Sequence, residues 1–430
     1  MTPGIFMRST WNKKEWSWAL YDWANSVYAL LVMTAFFPYF LKHHAETAAT
    51  GLSTTVVLGY ASSAASLVVV ILAPLVGALG DQYGAKRKLL AAFAVLGIVA
   101  TFSLSLVASG SPLLAAFVFA LGNIGFAVAN GLYDALLVSV TSRDRFDRLS
   151  ALGFALGYGG SLLLFLFGFV ATQNPQWFGF ADAIAAMRML FVATALWWLV
   201  FTIPLLVVAL DEPPPESRGR GTWDHVRGAF AELANTLREV RQYRNAALFL
   251  LAYWLYMDGV YTVIKMAVAY ADALGLDPMV PMKGILAVQV IAIPATLAFG
   301  RLAVRYGPRR MIMIGIFAYL LVTAGAPLMS SPTHFYGLAV VIGLAQGGLQ
   351  SVSRSMFARL IPPAEAGKYF GFYNMVGKFA AVLGPFLMGS LALLLNDKLS
   401  ILAIPLLLLA GMAVMTRVGN PDDAEDARSS

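Results

Sequence analysis

The sequence predicts an all-α protein that crosses a membrane many times, and three observations predict it. Hydrophobic residues make up 59% of the 430 and charged residues only 12%, which is not the balance of a water-soluble domain. Cutting the chain at its charged and Pro/Gly-rich breaks leaves twelve apolar runs, most of them long enough to cross a bilayer. The basic residues, finally, gather on one side of those runs. The runs lie at about 17–41, 54–79, 88–109, 112–139, 150–172, 186–209, 245–271, 281–303, 311–330, 333–355, 369–394 and 398–416.

Of the 30 Lys and Arg, 24 fall in the tails and the even-numbered connections, among them Lys13, Lys86, Arg87, Arg145, Arg305 and Arg310. Only Lys42, Arg188, Lys283 and Lys398 lie at the opposite ends of the runs, and Lys265 and Lys378 lie within them. This bias places both termini in the cytoplasm. It also accounts for the net charge of +7 without a nucleic-acid partner. The chain has no cysteine, so disulfides, thiolate nucleophiles and thiolate metal sites are excluded. Its four histidines sit at run ends or in a loop, where they form no intramembrane metal cluster. The first apolar run is too long for a cleavable signal and lacks a small-residue cleavage site.

Taken in order, the runs differ in what polar groups they carry. The first opens with Tyr21-Asp22-Trp23-Ala24-Asn25-Ser26. A carboxylate at that depth costs about 2.5–3.5 kcal/mol unless it faces a partner or water. Asp22 and Asn25, three apart, share one helical face. The fourth run carries Asn123, Ala127, Asn130 and Asp134 on one stripe, with Tyr133 beside it. Glycines in the fourth, fifth and eleventh runs favour close helix approach rather than a nucleotide loop. Between the sixth and seventh runs, Asp211-Glu212-Pro213-Pro214-Pro215-Glu216 begins a polar connection that turns amphipathic at Val226, Phe230, Leu233, Leu237 and Val240. The seventh run carries Trp254, Asp258, Tyr261 and Lys265 at helical spacing. The eighth carries Gln289, the tenth Gln346 and Gln350 with Arg354 one turn further on, and the eleventh Asn374 and Lys378. The resulting organisation is a 1–16 cytoplasmic segment, a 17–209 six-helix half, a 210–244 linker, a 245–416 six-helix half and a 417–430 tail.

The halves echo each other. Gly77-x-x-x-Asp81-Gln82-Tyr83-Gly84-x-Lys86-Arg87 follows the second run, and Gly300-x-x-x-Val304-Arg305-Tyr306-Gly307-x-Arg309-Arg310 follows the eighth, 223 residues later. Asn130-Gly131-Leu132-Tyr133-Asp134 and Gly347-Gly348-Leu349-Gln350-Ser351 stand 217 apart. Two echoes at similar offsets indicate internal duplication.

With these features the chain resembles the major facilitator superfamily over nearly its whole length. The loop after the second run looks like that superfamily's signature loop: Gly77, Asp81, Gly84 and Lys86 fit, while Gln82 and Ala85 replace basic residues. The second copy has Val304 in place of the acid. The runs Tyr21–Tyr28 and Phe370–Lys378 are similar to the vacuole-effluxer-like branch, which joins a fungal autophagy-related amino-acid exporter to bacterial transporters. The resemblance implies twelve helices in two pseudo-symmetric halves, with the first, fourth, seventh and tenth lining a central cavity. Those four carry most of the intramembrane polar residues.

A cavity so lined predicts substrate contact by Asp22, Asn25, Asn130, Tyr133, Asp134, Asp258, Tyr261, Lys265, Gln346, Gln350 and Lys378. An ion pair that only locks helices, or amide packing between helices, is the competing reading of these residues. Asp22 and Lys378 both fall in the cytoplasmic third of their runs, which makes them the first pair to test for contact, and Asp134 and Asp258 are the expected proton carriers. Gly77, Asp81, Gly84, Lys86, Arg87, Arg145 and Arg305 form the expected gating loops. Asp81 is placed to accept from amides at the start of the eleventh helix near Tyr369, and from Arg143 or Arg145.

The expected function is secondary active transport of a small polar solute, an amino acid or related zwitterion, by alternating access. Protons are the expected coupling ion. Lipid or lysolipid translocation by the same fold is the alternative, with a membrane enzyme or a receptor more remote. No phosphate-binding loop is present, so ATP is not a direct energy source. No cofactor or metal is expected. The partners are the solute, protons and the bilayer, for a monomer in a bacterial inner membrane.

Overall fold

The fold is given by a computed structural model that describes residues 11–44, 54–208, 243–273, 275–277, 279–380, 383, 384, 387, 388, 391 and 401–419. Among these, ten helices are long and apolar enough to cross a membrane. The first combines α1 (Lys13–Val27), a π-helical stretch (Tyr28–Phe36) and α2 (Phe37–His43). There follow α3 (Thr54–Tyr83), α4 (Lys86–Leu104), α5 (Pro112–Val140), α6 (Phe146–Gln173) and α7 (Ala183–Val207). A second set comprises α8 (Arg244–Ala273), α9 (Met279–Tyr306), α10 (Pro308–Gly325) and α11 (Pro332–Leu360). The shorter α12 (Ala366–Phe379) and α13 (Ala403–Met415) occupy the eleventh and twelfth expected positions. The anticipated linker helix over Val226–Val240 and the chain ends 1–10 and 420–430 lie outside the described residues, while α1 already begins at Lys13, within the segment expected to precede the first span.

Local chemistry explains where these helices begin and turn. Asn12 caps α1: its side chain accepts from the Glu15 amide at 2.9 Å, and the Glu15 carboxylate accepts from the Asn12 amide at 2.8 Å, a reciprocal capping box. Pro38 supplies no amide to the preceding turn, and the backbone before it widens into the π stretch. Pro112, Pro308 and Pro332 open their helices, where a missing amide costs nothing. Gly84 and Gly307 turn the chain between α3 and α4 and between α9 and α10 at φ of 57° and 86°, a conformation that side chains disfavour.

Burial is arranged for a bilayer. Leu67, Leu106, Phe117, Leu163, Leu196 and Phe317 are exposed on outward faces, whereas Trp18, Tyr133, Trp198, Tyr256 and Tyr369 are fully buried. A contiguous apolar exterior of this kind is matched by lipid, not water.

The helices α1, α4, α6, α8, α10 and α12 start at one face of the bundle, the N-face, and α3, α5, α7, α9, α11 and α13 end there. Two seams join the two sets. One packs α3 against α12, and the other packs α6 against α9 and α11. Both are glycine seams: a Cβ on Gly77 would lie 2.0 Å from the Gly367 carbonyl oxygen, and one on Gly300 would lie 2.4 Å from the Ala151 Cβ. Only a missing side chain lets the backbones approach so closely.

Candidate functional site

At the centre of the bundle, toward the N-face, a single guanidinium joins the two sets. Arg354 of α11 places Nη2 3.1 Å from Asp22 Oδ2 of α1 and Nη1 3.1 Å from Asp134 Oδ1 of α5. Its remaining donors reach Ser150 of α6, Nε to the hydroxyl at 2.9 Å and Nη2 to the carbonyl at 3.0 Å. The cation also packs against the rings of Phe154, Trp18 and Tyr133, at 4.4, 4.7 and 5.3 Å from their centroids. Tyr133 donates to Asp22 Oδ2 at 2.8 Å, Trp18 Nε1 donates to the Tyr133 carbonyl at 2.9 Å, and the Trp18 and Tyr133 rings stack at 4.5 Å. Asn374 of α12 approaches Asp134 Oδ2 at 3.4 Å. Asp22, Asp134 and Arg354 are all at most 5% exposed. Removing one member of such a buried set leaves an uncompensated charge, so the triad holds as a unit.

Two further polar contacts cross between the sets nearer the N-face. Asp147 of α6 pairs with Arg359 Nη1 at 2.7 Å and accepts a short hydrogen bond from Ser355. Arg143 and Arg359 each donate to the other's carbonyl at 3.1 Å. On the other seam, Asp81 at the end of α3 accepts from the Gly367 and Lys368 amides at 2.9 and 2.7 Å, at the start of α12. Lys86 sits 2.7 Å from the same carboxylate. A carboxylate on the free amides of a helix start satisfies donors that have no partner within the helix.

The sequence-predicted residues separate into groups. Asp22, Tyr133 and Asp134 meet at the triad. Asn25 donates to Asn130 at 3.0 Å one layer away. Asp81 finds the amides anticipated near Tyr369, but its basic neighbour is Lys86: Arg145 instead pairs with Glu15 at 3.1 Å, and Arg143 belongs to the Arg359 contact. Arg87 donates to the Val208 carbonyl at the end of α7, and Arg305 lies exposed over Tyr306. The anticipated pairing of Asp22 with Lys378 gives way to Arg354, whose planar fork reaches two carboxylates at once. Asp258 stands apart from the triad. It accepts from the Leu383 and Gly384 amides at 3.0 and 2.8 Å, which follow the end of α12, so its carboxylate caps backbone. Tyr261, Gln346, Gln350 and Lys378 are half-buried, and the Lys265 side chain lies outside the described residues.

Arg354, Asp147, Ser150 and Arg359 join the two sets without being among the residues predicted to touch substrate or to gate. Arg354 falls among the 24 basic residues whose distribution sets the expected topology, although it stands six residues inside the end of α11. The run Ser351-Val352-Ser353-Arg354-Ser355 was the available signal, because three hydroxyls around a cation do not belong on a lipid-facing helix end.

The fold places the chain in a class. A human organic anion transporter, MFSD10, superposes with a TM-score of 0.69 at 15% identity, covering 94% of this chain and 98% of that one. The proton:xylose symporter XylE superposes with a TM-score of 0.68 at 14% identity, covering 95% of each. Both have the major facilitator fold, and this chain shares it. Residues 10–427 match the family described as vacuole effluxer Atg22 like, and the chain belongs to that family. A Bacillus subtilis relative described as an uncharacterized MFS-type transporter, YxiO, is 35% identical over 96% of both chains. Autophagy-related protein 22 of Yarrowia lipolytica is 26% identical over 65% of this chain and 50% of its own length, so the chain spans about half of that fungal relative. The protein is thus a multi-pass transporter of the major facilitator type and not an enzyme.

Proposed function

We propose that the protein is a secondary active transporter that moves a small polar solute, an amino acid or related zwitterion, by rocking its two six-helix halves about the site between them. The N-face is the cytoplasmic face on this reading, which the 24-to-4 distribution of basic residues supports. The conformation described is then the one closed to the cytoplasm. The observation that carries the proposal is the Arg354 triad, a buried ionic joint made by three helices that belong to both halves. Opening the cytoplasmic side must break it, so whatever binds or neutralises its members controls the transition.

The triad also suggests the coupling ion. One guanidinium faces two carboxylates, leaving an excess negative charge that a single proton shared by Asp22 and Asp134 would remove. A zwitterion suits the same place, its carboxylate competing for Arg354 and its ammonium for the acids released. Asn25 and Asn130 meet one layer away, and on this reading their amides, with Tyr261, Gln346 and Gln350, would orient such a solute. Asp258, engaged with backbone amides, has a structural part in this scheme.

The test is uptake of a radiolabelled amino-acid and peptide panel into proteoliposomes of the bacterial inner-membrane lipid type, with and without an inward proton gradient. Gradient-driven accumulation by the wild type is expected. Asp22→Asn and Asp134→Asn should lose accumulation and retain exchange. If both variants still accumulate solute, the triad does not carry the proton. If no member of the panel is transported, the substrate assignment is wrong.

A further inference from the structure

The turn between α9 and α10 borders a cleft of about 1320 Å³ on the N-face, which the proposed transport cycle does not use. Its walls come from both sets of helices: Arg143 and Asp147 from one, Arg305, Arg309, Arg310 and Arg359 from the other. Counting Asp144, five arginines face two aspartates, a surplus of three positive charges. Arg359 is neutralised by Asp147, and Arg309 donates to the Thr416 carbonyl. Arg305 and Arg310 are exposed and have no acidic partner among the described residues. The cleft is also part apolar, because Val304, Tyr306 and Ile314 line it while remaining exposed.

The equivalent turn between α3 and α4 supplies its own anion, Asp81, which neutralises Lys86. Val304 stands in that position in the second copy, so the basic residues remain and the acid is gone. We propose that this cleft binds the phosphodiester headgroup of an anionic phospholipid. The arginines would hold the phosphate, and the apolar wall of Val304, Tyr306 and Ile314 would take the first carbons of the chains. Arginine forks match phosphate oxygens, and basic pockets between membrane helices are established receivers of acidic headgroups. A free phosphate would use the arginines alone and gain nothing from the apolar wall. Because the cleft is built from both sets, a bound headgroup bridges them and favours the N-face-closed conformation.

Native mass spectrometry of the full chain, titrated with phosphatidylglycerol or phosphatidylcholine, tests this. The wild type should retain phosphatidylglycerol about tenfold more tightly, and the Arg305→Ala/Arg310→Ala variant should lose that preference. Arg301→Ala, an exposed arginine outside the cleft, should keep it, and all three proteins should unfold at similar temperatures. Equal retention of the anionic lipid by wild type and double variant overturns the proposal. Displacement of the lipid by excess inorganic phosphate also overturns it, assigning the cleft to a small anion. So does lipid retention that appears only after Asp422, Asp423, Glu425 and Asp426 are neutralised, which would give the cleft to the chain's own acidic run.

Discussion

The two N-face turns, Gly77–Arg87 and Gly300–Arg310, echo each other in sequence and solve one packing problem with different chemistry. Each presents a glycine to the start of a helix in the other set, Gly77 to α12 and Gly300 to α6. Each also sends a basic residue to the end of another helix, Arg87 to Val208 and Arg309 to Thr416. In the first copy a carboxylate completes the joint by accepting from two amides of α12. In the second, Val304 replaces that carboxylate, and the joint is made instead by Asp147 with Arg359 and Ser355 on a neighbouring helix. The duplicated backbone geometry therefore persists where the charge does not. What a repeat preserves first is the close approach, and the polar contact is free to move to another residue.

The Arg354 triad lies between these two joints, and disrupting it should have the largest effect. Arg354→Gln leaves Asp22 and Asp134 buried without their cation, which costs about 3–5 kcal/mol. A clear fall in the unfolding midpoint of the purified protein is expected, together with loss of transport. Arg354→Lys should recover little, since one ammonium cannot fork to two carboxylates 3.1 Å from separate guanidinium nitrogens. Full stability in the glutamine variant would show that the triad is not a closed ionic joint.

Asp81→Asn comes next and separates the two turns directly. It removes charge-assisted bonds to the Gly367 and Lys368 amides, each worth about 1.5–3 kcal/mol, and leaves the α6–α9 seam intact. The chain has no native cysteine, so paired cysteines can be introduced without background. Crosslinking between the N-face ends of α3 and α12 should drop, while crosslinking between α6 and α9 should not. An equal drop at both seams would mean that the two joints open as one.

Adding a methyl at each glycine tests the shared part of the comparison. Gly77→Ala would push a Cβ against the rigid Gly367 carbonyl, and Gly300→Ala would meet the Ala151 Cβ at 2.4 Å and the Asp147 carbonyl at 2.9 Å. Overpacking of this kind costs about 1–3 kcal/mol. The Gly77 variant should be the worse of the two, because its Cβ would come closer to its neighbour and neither the Gly367 carbonyl nor the Ala151 Cβ can turn away. Thermal unfolding and the same two crosslinks measure both.

How much of this was legible in the sequence depends on distance along the chain. Ten membrane-length helices were, because apolar runs report the bilayer one segment at a time. Asp81 was placed correctly at the start of α12, because the Gly77–Arg87 motif is local and a carboxylate suits free amides at a helix start. The triad was half legible. Asp22 and Asp134 stood out as acids at membrane depth, but their cation lies 332 and 220 positions away in the chain. Near a helix end rich in basic residues, Arg354 looked like one more topological charge. Asp258 looked equivalent to the other two acids, since sequence does not show that the eleventh helix breaks after Phe379 and leaves amides for it to cap. Charges are visible in a sequence. Their partners are not, when those partners are backbone amides or lie on another half.

The smallest effect expected, and the sharpest contrast, comes from Val304→Asp, which returns to the second turn the acid it lacks. Val304 is 41% exposed, so the new carboxylate stays hydrated and its contribution to stability should be only about 0.2–1 kcal/mol. Its effect on charge is larger in proportion. With Arg305 and Arg309 beside it, the substitution cuts the surplus of the adjoining cleft from three to two and supplies an internal anion, as Asp81 does for Lys86. If the two turns differ in function because one carries its anion and the other recruits it, this variant should bind phosphatidylglycerol more weakly than the wild type. Its crosslinking between α6 and α9 should also become insensitive to whether the bilayer is anionic. Val304→Asn, equal in size and uncharged, is the control and should keep the lipid dependence. Lipid binding unchanged in the aspartate variant would mean that the missing acid is an incidental loss, and that the two turns differ in charge without differing in what they do.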